Sequence, residues 1–179
     1  YANLTGRPIT EVYTLLCARG LKLTEERYLD DYESMAQRVY GDYVRPLPHV
    51  DSLLSRLSAR HAKLAIASSS KRSWIDLALH SRSLSIDFSV IASAADPLVE
   101  CGKPAPDVYL YAAQQLGVSP ERLIAIEDSS HGVTSACAAG LYCIGLKNGF
   151  NEDQDLSHAH EVMRGYHPDH LSEILSDLI

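Results

Sequence analysis

The sequence predicts an α/β fold built on a parallel sheet with helices on both faces, preceded by a small helical domain. Three observations predict it. From residue 46 onward, short apolar runs alternate with segments of helical period. Those runs are continuously apolar, as strands buried on both faces require, rather than alternating. Residues 9–44 carry helical periodicity alone, with nothing that reads as a strand.

The elements follow in order. Thr10 can cap a helix running to Arg19, with Gly20 as its stop. Thr24 can cap the next, and Glu25 and Glu26 stand in its first turn, where the helix dipole favours anions. Tyr28, Tyr32, Met35, Ala36 and Val39 then recur at helical spacing. Core packing is the reading of that stripe, with the lining of a ligand site as the alternative. Pro46 and Pro48 end the region. Val50, Leu53, Leu54 and Leu57 mark a helix, residues 63–67 (KLAIA) a buried strand, and Trp74, Ile75, Ala78 and Leu79 another helix. Residues 88–92 (FSVIA) form a second strand, and Pro106 opens a helix that Gly117 closes after Leu116. Residues 123–127 (LIAIE) make a third strand, a short helix ends before Gly140, and 141–146 (LYCIGL) make a fourth. His170–Ile179 reads as a closing helix. The order is Rossmann-like, with a small helical domain over residues 1–45 and an α/β core over 46–179.

Composition bounds the function. The 179 residues are 46% hydrophobic and 22% charged, ordinary for a globular chain. A net charge of −7 and a pI near 5.5 argue against a general nucleic-acid binder. They do not exclude a phosphorylated substrate, because a local cation overrides the average. No apolar run approaches the ~18 residues of a membrane span, so no membrane partner is expected. Cys17, Cys101, Cys137 and Cys143 form no C-x-x-C pair and read as reduced thiols of a cytoplasmic protein. A monomer or weak dimer is expected.

In open parallel sheets, ligands bind at the carboxyl ends of the strands. After the first strand come Ser68, Ser69 and Ser70, then Lys71 and Arg72 at a helix start. Hydroxyls and free N–H groups there suit an anion, although plain helix capping explains serines equally. After the second strand, Lys103 sits between Gly102 and Pro104 in a rigid turn that can aim its ammonium, or it is a solvated loop lysine. After the third come Glu127 and Asp128. Adjacent carboxylates stay ionised together only near a cation, and a hard ion such as Mg²⁺ is the natural partner. Capping of the following helix by Asp128 or Ser129 accounts for one acid, not two. An anion cradle, a lysine and a carboxylate pair at successive strand ends form a phosphoryl-transfer constellation.

The motifs IASSS, GKPAPDVYLYAAQQLGV and IEDSSHGVTSACAAG, in that order, resemble the haloacid dehalogenase-like hydrolase superfamily. The particular resemblance is to its β-phosphoglucomutase-like phosphatase branch, and it runs through nearly the whole chain. It implies a Mg²⁺-dependent phosphatase of a small phosphorylated metabolite, with a sugar-phosphate mutase as the close alternative. By this resemblance Ser68, with Ser69, binds the phosphoryl group, Lys103 steadies the charge between nucleophile and phosphate, and Asp128 with Glu127 holds Mg²⁺. Residues 4–16 resemble the cap's specificity loop, so Gly6 and Arg7 face the substrate. His131, beside the acid pair, is either a rim residue or a simple helix-start residue. His158, His160, His167 and His170 read as part of a solvated tail.

One motif departs. The family's D-x-D segment, whose first Asp is the nucleophile and second the general acid–base, is absent from these residues. Asp30, Asp31, Asp42, Asp153 and Asp155 follow no apolar strand. Pro48-His49 also stands where relatives commonly have Pro-Gly. In this family the first strand is central, so the remaining strands are expected to flank a gap with two unpaired edges. The chain starts at Tyr1, and the expectation is that a segment of ~30 residues ahead of it carries strand and nucleophile. The 179 residues alone are then inactive. A degenerate domain that binds a phosphate ligand or a partner, and a first strand supplied by another polypeptide, are the competing expectations.

Overall fold

The computed structural model describes residues 9–80, 87–165 and 169. Gly6, Arg7, His167 and the closing helix expected over His170–Ile179 lie outside them.

The chain enters through two helices, α1 (Ile9–Ala18) and α2 (Glu25–Arg38), and a π-helical turn (Val39–Tyr43). Thr24 caps α2, its hydroxyl accepting the Arg27 N–H at 3.3 Å. Thr10 does not cap α1. It lies inside the helix, where its carbonyl accepts the Thr14 hydroxyl at 3.0 Å. The apolar stripe of α2 also departs from expectation: only Ala36 is buried, and Met35 is 65% exposed. The rings meet instead in a tilted ladder, Tyr13 against Tyr28 at 5.2 Å, Tyr28 against Tyr32 at 6.2 Å and Tyr32 against Trp74 at 5.5 Å. The stripe joins the helical segment to its neighbour, because α2 packs on α1 and on the helix bearing Trp74 and, among the described residues, on no sheet.

The α/β part then unfolds in order: α3 (Val50–Ala59), β1 (Ala65–Ser68), α4 (Arg72–His80), β2 (Val90–Ser93), α5 (Asp107–Leu116), β3 (Ile124–Glu127), α6 (Ser130–Ala138), β4 (Tyr142–Lys147) and β5 (Glu161–Arg164). Gly117, at φ +64, closes α5 as the sequence requires. β1 and β2 begin two residues later than the apolar runs suggest, because pairing sets in only from Ala65 opposite Val90. β5 is an addition to the expected strands. It is an edge strand with Glu161 and Arg164 at its ends and only Met163 buried, so it lacks the continuous apolar run that marks its neighbours.

Every pairing is parallel, but the strands form two sheets, β1–β2 and β3–β4–β5. On one face of β3–β4, Ala125 and Cys143 pack with Tyr109 and Ala112 of α5 and with Val133 of α6. On the other, Ile124 and Ile144 meet Leu53 and Leu57 of α3. Alternation of side chains along a strand places α3 opposite α5 and α6.

Between β1 and β3 runs a cleft of about 790 Å³, lined along the length of both strands and by the leucines of α3 and Tyr109 and Leu116 of α5. In a parallel ladder alternate residues turn their N–H and C=O the same way. Leu64 and Ser68 direct theirs to β2, and Leu123 directs its carbonyl to β4. The backbone groups of Ala65 and Ala67 on one side, and of Ile124 and Ile126 on the other, therefore face the cleft. Among the described residues neither edge has a strand partner.

Candidate active site

The carboxyl ends of β1 and β3 open at the same end of this cleft, because Lys103 reaches both. Its Nζ donates to the Ala67 carbonyl at 3.0 Å and to Oε1 of Glu127. The lysine and glutamate side chains are 9% and 8% exposed. The loop lysine is thus no solvated side chain but a cation fixed between two sheets.

Glu127 is held from several sides. Tyr109, in the first turn of α5, donates its phenol to the same Oε1, and its ring lies 4.9 Å from the Lys103 ammonium. Burial, reinforced by the Glu127 charge, pushes the Tyr109 phenol well above its ordinary pKa, so it stays a donor. Gly132 makes room for the carboxylate: a Cβ there would sit 1.9 Å from Glu127 Oε2. The glycine after the acid pair is a packing requirement of the acid itself. Ser135 ties the same helix to the lysine turn by donating its hydroxyl to the Ala105 carbonyl at 2.6 Å.

Asp128 differs from its neighbour. Ser129, not Asp128, caps α6, accepting the Gly132 N–H at 3.0 Å. The Asp128 carboxylate reaches solvent, yet crowding at the strand end raises its pKa, first by desolvation and then by the Glu127 charge. Asn148 donates to its Oδ2 at 3.1 Å, and Asn151 donates to its backbone carbonyl at 2.6 Å. The loop bearing both asparagines is built around buried Lys147, whose Nζ donates to the carbonyls of Asn151 and Glu152 at 3.1 Å each and to that of Gln154. Sequence reasoning missed Lys147, Asn148, Asn151 and Tyr109. The signal available was a lysine closing an apolar strand before an Asn-Gly turn.

The hydroxyl side has another construction. Ser68 Oγ accepts the Ser70 N–H at 3.1 Å. Ser93, fully buried at the end of β2, donates its hydroxyl to the Ser70 carbonyl at 2.8 Å and accepts the Ala95 N–H at 3.0 Å. Ser70 Oγ meets the Tyr40 hydroxyl at 3.0 Å, and Ser69 is exposed. Lys71 turns to Glu33 of α2 at 2.8 Å, and Arg72 turns to Asp76 at 3.0 Å and to the Ile91 carbonyl at 3.3 Å. His131 lies half-buried in the first turn of α6 without a polar partner among the described residues. The tail reading of the histidines needs correction at His160. Its Nδ1 accepts the Cys143 N–H at 3.0 Å, and its ring stacks on Tyr142 at 4.7 Å, so it supports β4.

A hard cation needs carboxylate oxygens free to ligate it. Asp128 offers an exposed carboxylate, its Oδ2 accepting Asn148. Glu127 offers none on the lysine side, where Oε1 already accepts two donors. No group of three or more His, Cys, Asp or Glu side chains able to hold a metal occurs among the described residues. Of the two acids, Asp128 has the exposed carboxylate that suits a hard cation, while Glu127 is buried with Oε1 engaged by Lys103 and Tyr109.

A parallel α/β core gathers an ammonium, hydroxyls and carboxylates at its strand ends, where open α/β sheets bind ligands. The comparisons give the family. The model of the haloacid dehalogenase-like hydrolases matches residues 2–146, and the chain belongs to that family. CbbY of Rhodobacter capsulatus is 40% identical over 143 residues, 76% of this chain and 62% of CbbY. Phosphoglycolate phosphatase of Escherichia coli is 28% identical over 148 residues, 79% of this chain and 54% of that enzyme. The chain thus spans little more than half the length of these relatives. Among solved structures, β-phosphoglucomutase from Clostridium difficile superposes with a TM-score of 0.73 at 25% identity, covering 99% of this chain and 79% of that one. Among the described residues, no helix is long and apolar enough to cross a membrane.

Proposed function

We propose that this chain forms the greater part of a Mg²⁺-dependent phosphatase of a small phosphorylated metabolite, a sugar phosphate or similar. Residues 1–45 act as its cap and 46–179 as its core. The observation that carries the reading is the placement of Lys103, whose ammonium stands between the end of β1, next to Ser68, and the acid pair at the end of β3. An ammonium so fixed balances the negative charge of a phosphoryl group in flight.

In this reading Ser68 and Ser69, with the N–H groups that open α4, receive the phosphoryl oxygens, and Lys103 bridges them to the nucleophile. The nucleophile is a carboxylate that the D-x-D segment of the family supplies and these 179 residues do not. Its oxygen attacks phosphorus, the ester P–O bond breaks, and the departing alkoxide takes a proton. Water then cleaves the aspartyl phosphate and releases phosphate. Asp128 would hold Mg²⁺, which when bound adds a second positive charge against the phosphoryl oxygens. Gly6 and Arg7 would meet the substrate from the cap. Free Cys17, Cys101, Cys137 and Cys143 accord with a cytoplasmic setting. The likeness to a β-phosphoglucomutase favours a second reading, a mutase that returns the phosphoryl group to sugar.

The test has two parts. The 179-residue chain should bind inorganic phosphate, seen as ³¹P line broadening that Lys103→Met removes, yet should not turn over p-nitrophenyl phosphate. A longer form bearing a D-x-D segment should hydrolyse it with Mg²⁺ and lose that activity in Asp128→Ala. Robust turnover by the 179 residues alone, or phosphate binding indifferent to Lys103, defeats the reading.

A further inference from the structure

We propose that Tyr109 is a positioning residue for this site, fixing Lys103 between the two sheets both directly and through Glu127. The inference rests on the assignment of Lys103 to phosphate made above, and it extends to a residue of the GKPAPDVYLYAAQQLGV motif that the sequence reading gave no role. Lys103 has one backbone partner, the Ala67 carbonyl, which locates one donor of its ammonium. Its other partner, Glu127, could turn about its own side chain if nothing else held it. The Tyr109 hydroxyl removes that freedom by donating to the oxygen that the lysine also uses. The same ring places its face 4.9 Å from the ammonium, a favourable cation–π distance. One side chain thereby restrains both members of a buried ion pair.

The arrangement accounts for where Glu127 points. Oε1 of Glu127 accepts both the lysine and the phenol, and two donors on one oxygen fix the direction of a buried carboxylate. Tyr109 is itself 7% exposed in the main core cluster, so its position is set by packing with Ala125 and Val133 rather than by the site. Rigid support from the core is what a charged group needs if it is to stand at a fixed point when the ligand arrives. Phenylalanine at 109 would keep the packing and the ring face but release Glu127. Tyr109→Phe therefore separates positioning from core filling.

The experiment uses the 179-residue protein and its Tyr109→Phe variant. Lysine labelling with acetic anhydride, read by peptide mass spectrometry, reports access to Lys103, and ³¹P line broadening reports affinity for inorganic phosphate. In the variant Lys103 should label several-fold faster and phosphate should bind about 5–10-fold more weakly, the size of one ordinary hydrogen bond. Circular dichroism and labelling of the exposed lysine Lys71 should not change. Lys103 labelling within twofold of the parent, with phosphate affinity unmoved, overturns the inference. If the parent binds no phosphate, the phosphate assignment of Lys103 fails, and the labelling rates alone decide whether Tyr109 fixes the lysine.

Discussion

The two sides of the cleft carry opposite chemistry and are held by opposite means. On the β3 side, Glu127 lies 8% exposed, bound to Lys103 and Tyr109, with Gly132 pressed against it. On the β1 side, Ser68, Ser69 and Ser70 form an open turn tied by single hydrogen bonds to its own backbone, to Ser93 and to Tyr40. The acid side is stiff because a buried charge tolerates no slack: an unpaired ion there costs several kcal/mol. The hydroxyl side can yield, because a serine that loses one partner finds water. A site that must hold a fixed ammonium and still admit a ligand needs both kinds of wall.

The most severe test of that difference is Gly132→Ala. Its Cβ would fall 1.9 Å from Oε2 and 2.2 Å from Cδ of Glu127, so the carboxylate must leave its place. Overpacking and a broken buried pair together should cost about 3 kcal/mol or more in urea unfolding. A loss under ~1 kcal/mol would mean that Glu127 relocates freely and the acid side is not stiff.

On the hydroxyl side the corresponding change is Ser93→Ala. It removes the hydroxyl of fully buried Ser93 and leaves the half-buried Ser70 carbonyl and the exposed Ala95 N–H without their shared partner. The expected loss is about 1–2 kcal/mol. Destabilisation as large as that of Gly132→Ala would erase the contrast between the walls.

The sequence made the hydroxyl side easier to read than the acid side, for a physical reason. Helices announce their ends locally, and Thr24, Gly117 and Gly140 do so here. Continuous apolar runs give parallel strands, and the serines following one are visible as they stand. Satisfaction of a buried charge is not local. Glu127 meets Tyr109 from 18 residues away and Lys103 from 24, and neither distance leaves a pattern in composition. The pair Glu127-Asp128 therefore reads as two equal acids, whereas the fold gives them different neighbours. β5 went unread because an edge strand needs only one buried side chain, and the exposed stripe of α2 because helical period shows that a face is apolar, not what will cover it.

A smaller effect concerns how the hydroxyl side joins the helical segment. Glu33 accepts Lys71 Nζ and Trp74 Nε1, each at 2.8 Å, and Trp74 is the chain's one tryptophan. The hydrogen bond from Lys71, then that from Trp74, hold the Glu33 pKa below the usual carboxylate range. A carboxylate lowered on folding contributes fully above its unfolded pKa, and the contribution is lost as pH falls through the folded value. Trp74 emission should therefore change as pH drops below the ordinary Glu range of ~4.3, with far-UV circular dichroism unchanged. In Glu33→Gln that transition should be missing. Identical profiles in the two proteins would show that this tether does not hold the open side to α2.

The mildest change lies at His49, just ahead of the helix that covers the cleft on the face opposite α5. His49 has φ +68 and ψ +4, in the left-handed region, and its side chain does not cap α3. A residue with a Cβ in that region carries a steric cost of ~1 kcal/mol that glycine does not. Glycine in turn loses more backbone entropy on folding, which offsets part of the gain. His49→Gly should therefore raise stability by no more than ~1 kcal/mol, read as a small upward shift in thermal midpoint with phosphate binding unaltered. Because α3 packs on Ile124 and Ile144 and leaves the strand ends alone, a change in stability here should reach neither wall's chemistry. If His49→Gly destabilised the protein, the imidazole would have to be making a contact that outweighs its backbone strain. If it altered phosphate binding, the entry to α3 would be coupled to the site, and the difference between the walls would no longer be a property of the walls alone.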